Sequence, residues 1–294
     1  MIIGYSLGKS LFDVESYLRE TNNNDISLID KTGPSKLFHC SQNEDSLTLG
    51  LEALDNLFSG ANINKDNIEM LISVSESPRL FFPGNSSYYL SKLDLSTNLH
   101  LLDINAGCTG FVDAISIASS MKLKSLIICS ETYSKHNSTK SRSTACLFSD
   151  AASAIYYDPS EYEILYDKTI VKKNTFETLY ADSSGLFMNG AEVFQFFSST
   201  VVNMIKDAVE KFPSIKFIYP HQGSKLIIDV LKNKFSDHNV QNNIVDKGNS
   251  VSATIPILLK DKEFQGVNNE PIILVGFGVG LQSHLIVLRK KINA

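Results

Sequence analysis

Three polar residues placed at expected chain turns are the first candidates for chemistry in this chain of 294 residues. Cys108 stands in Asn105-Ala106-Gly107-Cys108-Thr109-Gly110-Phe111 and opens a run with apolar residues at helical spacing (Phe111, Val112, Ile115, Ala118). A helix N-terminus carries about half a positive charge and unpaired N–H groups. A thiol there is expected to fall from a pKa of ~8.5 toward neutrality and to act as a nucleophile. Cys129 and Cys146 sit in the apolar runs Leu126-Ile127-Ile128-Cys129 and Ala145-Cys146-Leu147-Phe148 and read as core, while Cys40 has no supporting pattern. His221 lies in Ile218-Tyr219-Pro220-His221-Gln222-Gly223, where proline and glycine fix an abrupt strand-to-helix turn. It can donate a hydrogen bond or carry a proton near neutral pH, or simply cap a helix. Asn249, in Gly248-Asn249-Ser250-Val251-Ser252-Ala253, can donate to a developing oxyanion or serve as an N-cap. Gly276-Phe277-Gly278-Val279-Gly280 falls between two strands and not before a helix, so it is no dinucleotide loop; a tight turn aiming N–H groups at Cys108 fits better.

These residues need strand ends to hold them. Residues 46–58 carry Leu47, Leu51, Leu54, Leu57 and Phe58 at helical spacing, and 70–74 read as a buried strand. A short helix at 85–93, a strand at 99–104, a helix opening at Cys108, and strands at 125–130 and 145–157 follow. In the second half come a helix at 193–211, a strand at 215–219, a helix at 223–235 and a weak strand at 243–246. A helix from Ser250 and strands at 271–276 and 281–289 complete it. Strands separated by helical stretches indicate βαβ crossovers and parallel sheet. The same order occurs twice, predicting a duplicated α/β fold with an N-terminal half, 1–158, carrying the nucleophile and a C-terminal half, 159–294, carrying His221 and Asn249. Cys108 and Asn249 then occupy equivalent places, and all three residues land at strand carboxyl ends, where sites in α/β sheets are built.

Composition narrows the partners. The chain is 43% apolar and 20% charged with net charge −5, and its 27 lysines and arginines are scattered, which argues against nucleic acid. No apolar run approaches the ~20 residues of a membrane span. Met1-Ile2-Ile3-Gly4-Tyr5 reads as a first strand and not as a signal peptide. Four cysteines at irregular spacing form neither a zinc pattern nor a disulfide framework, so a cytoplasmic protein with reduced thiols and no metal is expected.

The combined motifs resemble the thiolase-fold condensing enzymes, specifically 3-oxoacyl-[acyl-carrier-protein] synthase III. The resemblance is carried by Asp103 to Phe111, Leu147-Phe148-Ser149-Asp150-Ala151-Ala152-Ser153-Ala154, Met188-Asn189-Gly190-Ala191-Glu192-Val193-Phe194, Pro220-His221-Gln222, Gly248-Asn249-Ser250, Ser252-Ala253, Ile255-Pro256 and the turn Gly276 to Gly280. It implies a five-layer α/β/α/β/α fold with two mixed, mostly parallel sheets, and ping-pong chemistry without a cofactor. Cys108 would take an acyl group from a coenzyme A or acyl-carrier-protein thioester, with the N–H groups of Cys108 and Val279 as oxyanion hole. His221 and Asn249 would stabilise the enolate formed when a malonyl-carrier substrate loses carbon dioxide. Phe277 would sit near the nucleophile, Phe82 would reach the acyl pocket of a homodimer partner, and Arg142 would contact coenzyme A. The sequence departs from the family in having no tryptophan, in Gly223-Ser224, in Val279 where a glycine is usual, and in a short stretch between Tyr157 and Met188. These departures imply a divergent member. Two other functions compete: an acyltransferase passing the Cys108-bound group to an oxygen or nitrogen nucleophile, and an inactive partner subunit, against which the intact Cys108, His221 and Asn249 speak.

Overall fold

The computed structural model describes residues 1–21, 27–136, 142–264 and 270–292, with 142 and 143 known by their backbone alone. Strands of the first half are β1 (Ile2–Leu7), β2 (Ser10–Asp13), β3 (Lys36–His39), β4 (Met70–Val74), β5 (His100–Ile104), β6 (Ser125–Glu131) and β7 (Ala151–Tyr157). Those of the second are β8 (Tyr162–Val171), β9 (Leu179–Asp182), β10 (Gly185–Met188), β11 (Phe217–Pro220), β12 (Asn239–Val240), β13 (Ile272–Gly278) and β14 (Gln282–Lys290).

Two five-stranded sheets repeat one topology. The first runs β1-β7-β6-β4-β5; the second, read from its other edge, runs β8-β14-β13-β11-β12. In each, the chain's first strand pairs antiparallel with the last, and the three remaining strands are mutually parallel. The parallel strands β4, β6 and β13 are buried along their whole length, which is why they read as unbroken apolar runs without alternation. Strand β8, with Glu163, Asp167 and Lys168 along a half-exposed edge, has no such run, and sequence periodicity missed it.

The layers follow from which faces are apolar. Between the sheets lie the helices Gly110–Met121 and Thr254–Asp261, whose Phe111, Ile115, Ile255 and Leu258 share one core with Ile72 and Ile127 of the first sheet and Leu274 and Ile286 of the second. The outer face of the first sheet is covered by the helix Ser46–Ser59, started by a capping box in which Asp45 accepts the Thr48 N–H. The outer face of the second is covered by the helices Val202–Lys211 and Lys225–Lys234. This is the five-layer arrangement expected.

Two expected strands differ. The strand expected at 145–157 begins only at Ala151, because 142–145 close a helical turn and the Asp150 carboxylate accepts the backbone N–H of Cys40 at 2.7 Å and of Ser134 at 2.9 Å. The strand expected at 243–246 is the short helix Ile244–Lys247; the edge strand lies earlier, where Asn239 and Gln241 donate to the Lys216 and Ile218 carbonyls.

Candidate active site

Cys108 is held at the carboxyl end of β5, within a 3-10 turn (Gly107–Thr109) that precedes the helix Gly110–Met121. The second half repeats the device after β12, with the 3-10 turn Val251–Ser252–Ala253 before the helix Thr254–Asp261. Both turns open on a left-handed residue, Gly107 (φ 46°) and Val251 (φ 53°). The matched turns make Ser252, not Asn249, the counterpart of Cys108; Asn249 lies three residues earlier, where it pairs with Phe148. A valine at positive φ is strained, and here the Asn249 Oδ1 atom accepts the Val251 N–H at 2.9 Å and fixes the turn.

The turn after β13 presses on the nucleophile. A Cβ on Gly276 would lie 2.4 Å from the Cys108 carbonyl oxygen, and one on Gly278 2.7 Å from its sulfur, so neither glycine tolerates a side chain. Positive φ falls on Gly278 and Gly280, leaving Val279 unstrained and its N–H turned to the Cys108 sulfur beside that of Cys108 itself.

The thiol is nevertheless not acidified. Burial first, and the nearby Glu76 carboxylate second, raise Cys108 well above the ordinary thiol value, and the two N–H groups offset only part of this. The expected lowering fails because the thiol is buried, a carboxylate shares the site and the α-helix proper begins two residues later. Cys108 therefore rests as a thiol.

His221 leaves β11 at the second half's first parallel strand end, its N–H bonded to the Val275 carbonyl at 2.8 Å and its ring edge-on to Phe277. Burial pushes its pKa down to about 3, so the imidazole is neutral. Its Nδ1 lies 2.7 Å from the Thr254 hydroxyl, whose single proton has the Val251 carbonyl at 2.9 Å as its other acceptor. When that proton is donated to Nδ1 the imidazole proton lies on Nε2, and when it goes to Val251 the proton lies on Nδ1; the Asn249 amide nitrogen is 3.5 Å from Nε2. That amide also donates to the Gly223 carbonyl at 3.3 Å.

Cys108, His221, Asn249, Phe277 and Val279 line one cavity of ≈ 40 Å³, closed by Leu147, Phe148, Leu179 and Met188. Phe82 is not part of it: with Phe81 it stands exposed on the turn before the helix Asn85–Lys92. Arg142 begins the helical turn Arg142–Ala145, and its side chain lies outside the described residues.

Sequence reading missed a polar cluster beside the nucleophile. Glu76, just past β4, is bonded by the Tyr133 hydroxyl, and a Cβ on Gly107 would lie 2.3 Å from its carboxylate. Burial raises its pKa, partly offset by Tyr133. Fully buried Glu131 accepts from Ser252 Oγ at 2.6 Å and Ser77 Oγ at 2.8 Å; burial and the neighbouring Glu76 raise it to about 8. The available signal was position: Glu76 leaves β4 as His221 leaves β11.

Comparison with known proteins decides the family. The model of 3-oxoacyl-[acyl-carrier-protein (ACP)] synthase III matches residues 102–170 and that of its C-terminal part matches 207–290, together just over half of the chain. The chain belongs to the 3-oxoacyl-[acyl-carrier-protein] synthase III family. It is 29% identical over 274 residues to the beta-ketoacyl-[acyl-carrier-protein] synthase III of Clostridium botulinum, covering 82% of this chain and 83% of the relative. The enzyme of that name from Streptococcus pneumoniae is 28% identical over 280 residues, covering 85% and 86%. The crystal structure of the Aquifex aeolicus synthase III superposes with a TM-score of 0.87 at 26% identity, covering 98% of each chain. The priming β-ketosynthase of the R1128 polyketide pathway shares the fold, with a TM-score of 0.87 at 21% identity over 98% of this chain and 95% of that one. The chain is thus an acyl-transferring condensing enzyme of the thiolase-like fold. No helix among the described residues is long and apolar enough to cross a membrane.

Proposed function

We propose that Cys108 carries the acyl group and that His221 and Asn249 serve the carbon–carbon bond-forming half-reaction. The observation that supports this reading best is the convergence of all three in one small apolar cavity, with the N–H groups of Cys108 and Val279 at the sulfur. In the first half-reaction the thiol adds to a thioester carbonyl, the oxyanion is held by those two N–H groups, and the departing thiolate takes up the proton that Cys108 loses. In the second, a malonyl thioester loses carbon dioxide, its electron pair passes to the enolate, and the enolate oxygen is held by Nε2–H of His221 and the Asn249 amide. The enolate carbon attacks the acyl carbonyl, the carbon–sulfur bond breaks, and the Cys108 thiolate that leaves takes a proton from water.

The cysteine cavity of ≈ 40 Å³ adjoins one of ≈ 190 Å³, a modest space that favours a short acyl group. Coenzyme A or acyl-carrier-protein thioesters are the proposed substrates, with no metal. Exposed Phe81 and Phe82 favour a second copy of this chain as partner, with Phe82 reaching its pocket. Arg142 is the proposed contact to coenzyme A, the division into halves 1–158 and 159–294 is retained, and a cytoplasmic location suits the reduced thiols. Intact-mass measurement after incubation with short acyl thioesters tests the assignment: one acyl adduct is expected, absent in Cys108→Ala. Asn249→Ala should keep the adduct and lose condensation. Condensation indifferent to Asn249 and to malonyl thioester would refute the reading.

A further inference from the structure

Glu76 has no part in the chemistry just described. Decarboxylation creates the enolate without removing a proton from carbon, and a second carboxylate repels the malonyl group. Yet Glu76 is half-buried beside the residue preceding the nucleophile, its carboxylate filling the space that a side chain on Gly107 would need and bonded by Tyr133. It lines, with Asn105, Tyr133, Leu179 and Val279, a cavity of ≈ 190 Å³. Tyr133, Leu179 and Val279 also line the cavity holding Cys108, His221 and Asn249, so the two spaces adjoin. A carboxylate, two enolate-stabilising donors and an acyl-carrying thiol therefore surround one region.

We propose that Glu76 is a catalytic base that removes an α-proton from an acyl thioester lacking a malonyl carboxylate, so that the site also performs Claisen condensation without decarboxylation. This rests on the roles proposed above for Cys108, His221 and Asn249. The α-carbon–hydrogen bond breaks, its proton goes to the Glu76 carboxylate, and its electron pair becomes the enolate held by His221 and Asn249. The enolate carbon forms a bond to the carbonyl of acyl-Cys108 and the carbon–sulfur bond breaks. The departing sulfur then takes the proton from Glu76, which regenerates both the thiol and the carboxylate with no outside reagent. Cys108, held as a thiol in the resting site, is a ready acceptor for that proton. Carbon acids are weak, so a base must be partly desolvated to attack them, and half-buried Glu76, packed against Gly107 and Tyr133, meets this need. Among the described residues the other titratable groups around it are Cys108, Tyr133, Glu131 and, at the cavity rim, His136; burial and the Glu76 carboxylate push Glu131 up to about 8, so of the two carboxyls Glu131 is held protonated beside it.

The test uses the full chain, acylated at Cys108, in deuterium oxide with acetyl-pantetheine, and malonyl-pantetheine as the matched donor. Mass spectrometry should show deuterium entering the acetyl methyl of acetyl-pantetheine, at a rate rising with pH through the ionisation of Glu76. Glu76→Gln should lower this exchange at least 100-fold more than it lowers condensation with malonyl-pantetheine, and Glu76→Asp should restore part of it. Turnover of malonyl-pantetheine with no exchange by the native chain overturns the proposal and leaves the decarboxylating function standing. Equal exchange in native and Glu76→Gln chains overturns it as well. Failure of malonyl-pantetheine to react refutes the underlying reading instead.

Discussion

Replacing Thr254 by valine changes no volume and removes one hydroxyl, yet the geometry around His221 makes it a severe change. The imidazole is buried and neutral, so one ring nitrogen carries a proton and the other does not. With threonine, the hydroxyl at 2.7 Å can donate to Nδ1 and hold the proton on Nε2, facing the substrate. With valine, Nδ1 has only the Val251 carbonyl, already the group that opposes burial in setting the histidine's pKa, and it can satisfy that acceptor only as N–H. The proton then leaves Nε2 and the enolate oxygen loses one of its two side-chain donors. Loss of one such donor costs about 10²–10³ in rate, roughly 2.7–4 kcal/mol. Folding stability should fall by about 1–2 kcal/mol, the usual result of deleting one buried hydrogen-bond partner. Acylation of Cys108, followed by intact mass, should stay within threefold, while malonyl condensation, followed by product release, falls at least 100-fold; Thr254→Ser should recover most of it. Condensation within threefold of the native rate in Thr254→Val, or an equal fall in acylation, refutes the tautomer argument.

Two further predictions concern the frame of the site. His284 is pulled down by burial but raised more by Asp113 and Asp167, at 2.6 and 2.9 Å from its two ring nitrogens, so its folded pKa exceeds the ordinary ~6.5. A raised histidine stabilises fully below its unfolded pKa and loses that contribution as pH rises through the folded value. The melting-temperature gap between the native chain and His284→Gln should therefore be widest near pH 6 and shrink as pH rises; a constant gap from pH 5 to 9 contradicts the ion-pair geometry. Gly276→Ala drives a methyl into the Cys108 backbone and should cost about 2–3 kcal/mol in chemical denaturation, whereas Gly190→Ala, with nothing within 4 Å, should be neutral or stabilising.

The duplicated order was legible because the central parallel strands β4, β6 and β13 carry long apolar runs and the turns are punctuated by Gly and Pro. Cys108, His221 and Asn249 stood out because each sits in a turn whose neighbours are small or rigid. The pairing of Cys108 with Asn249 as counterparts was off by three residues, since positive φ at Val251 cannot be read from a valine. Glu76 stayed hidden because a glutamate after a strand looks like a solvated loop residue; only the approach of Gly107 and Tyr133, 31 and 57 positions along the chain, buries it. The thiol's raised pKa was unreadable for the same reason: it depends first on burial and then on that distant carboxylate, both set by the tertiary fold.

The shared central layer carries a consequence for substrate traffic. Helices Gly110–Met121 and Thr254–Asp261 are packed into one apolar mass with both sheets, so the halves have no seam along which to part like jaws. On the function proposed above, acyl thioesters would instead arrive over the rim formed by strand ends, beneath β9 and β10, whose Leu179 and Met188 roof the cysteine cavity. On that reading, selection for acyl length would fall to a two-stranded flap of four residues a side, open to remodelling by exchange of single side chains without disturbing the fold beneath it.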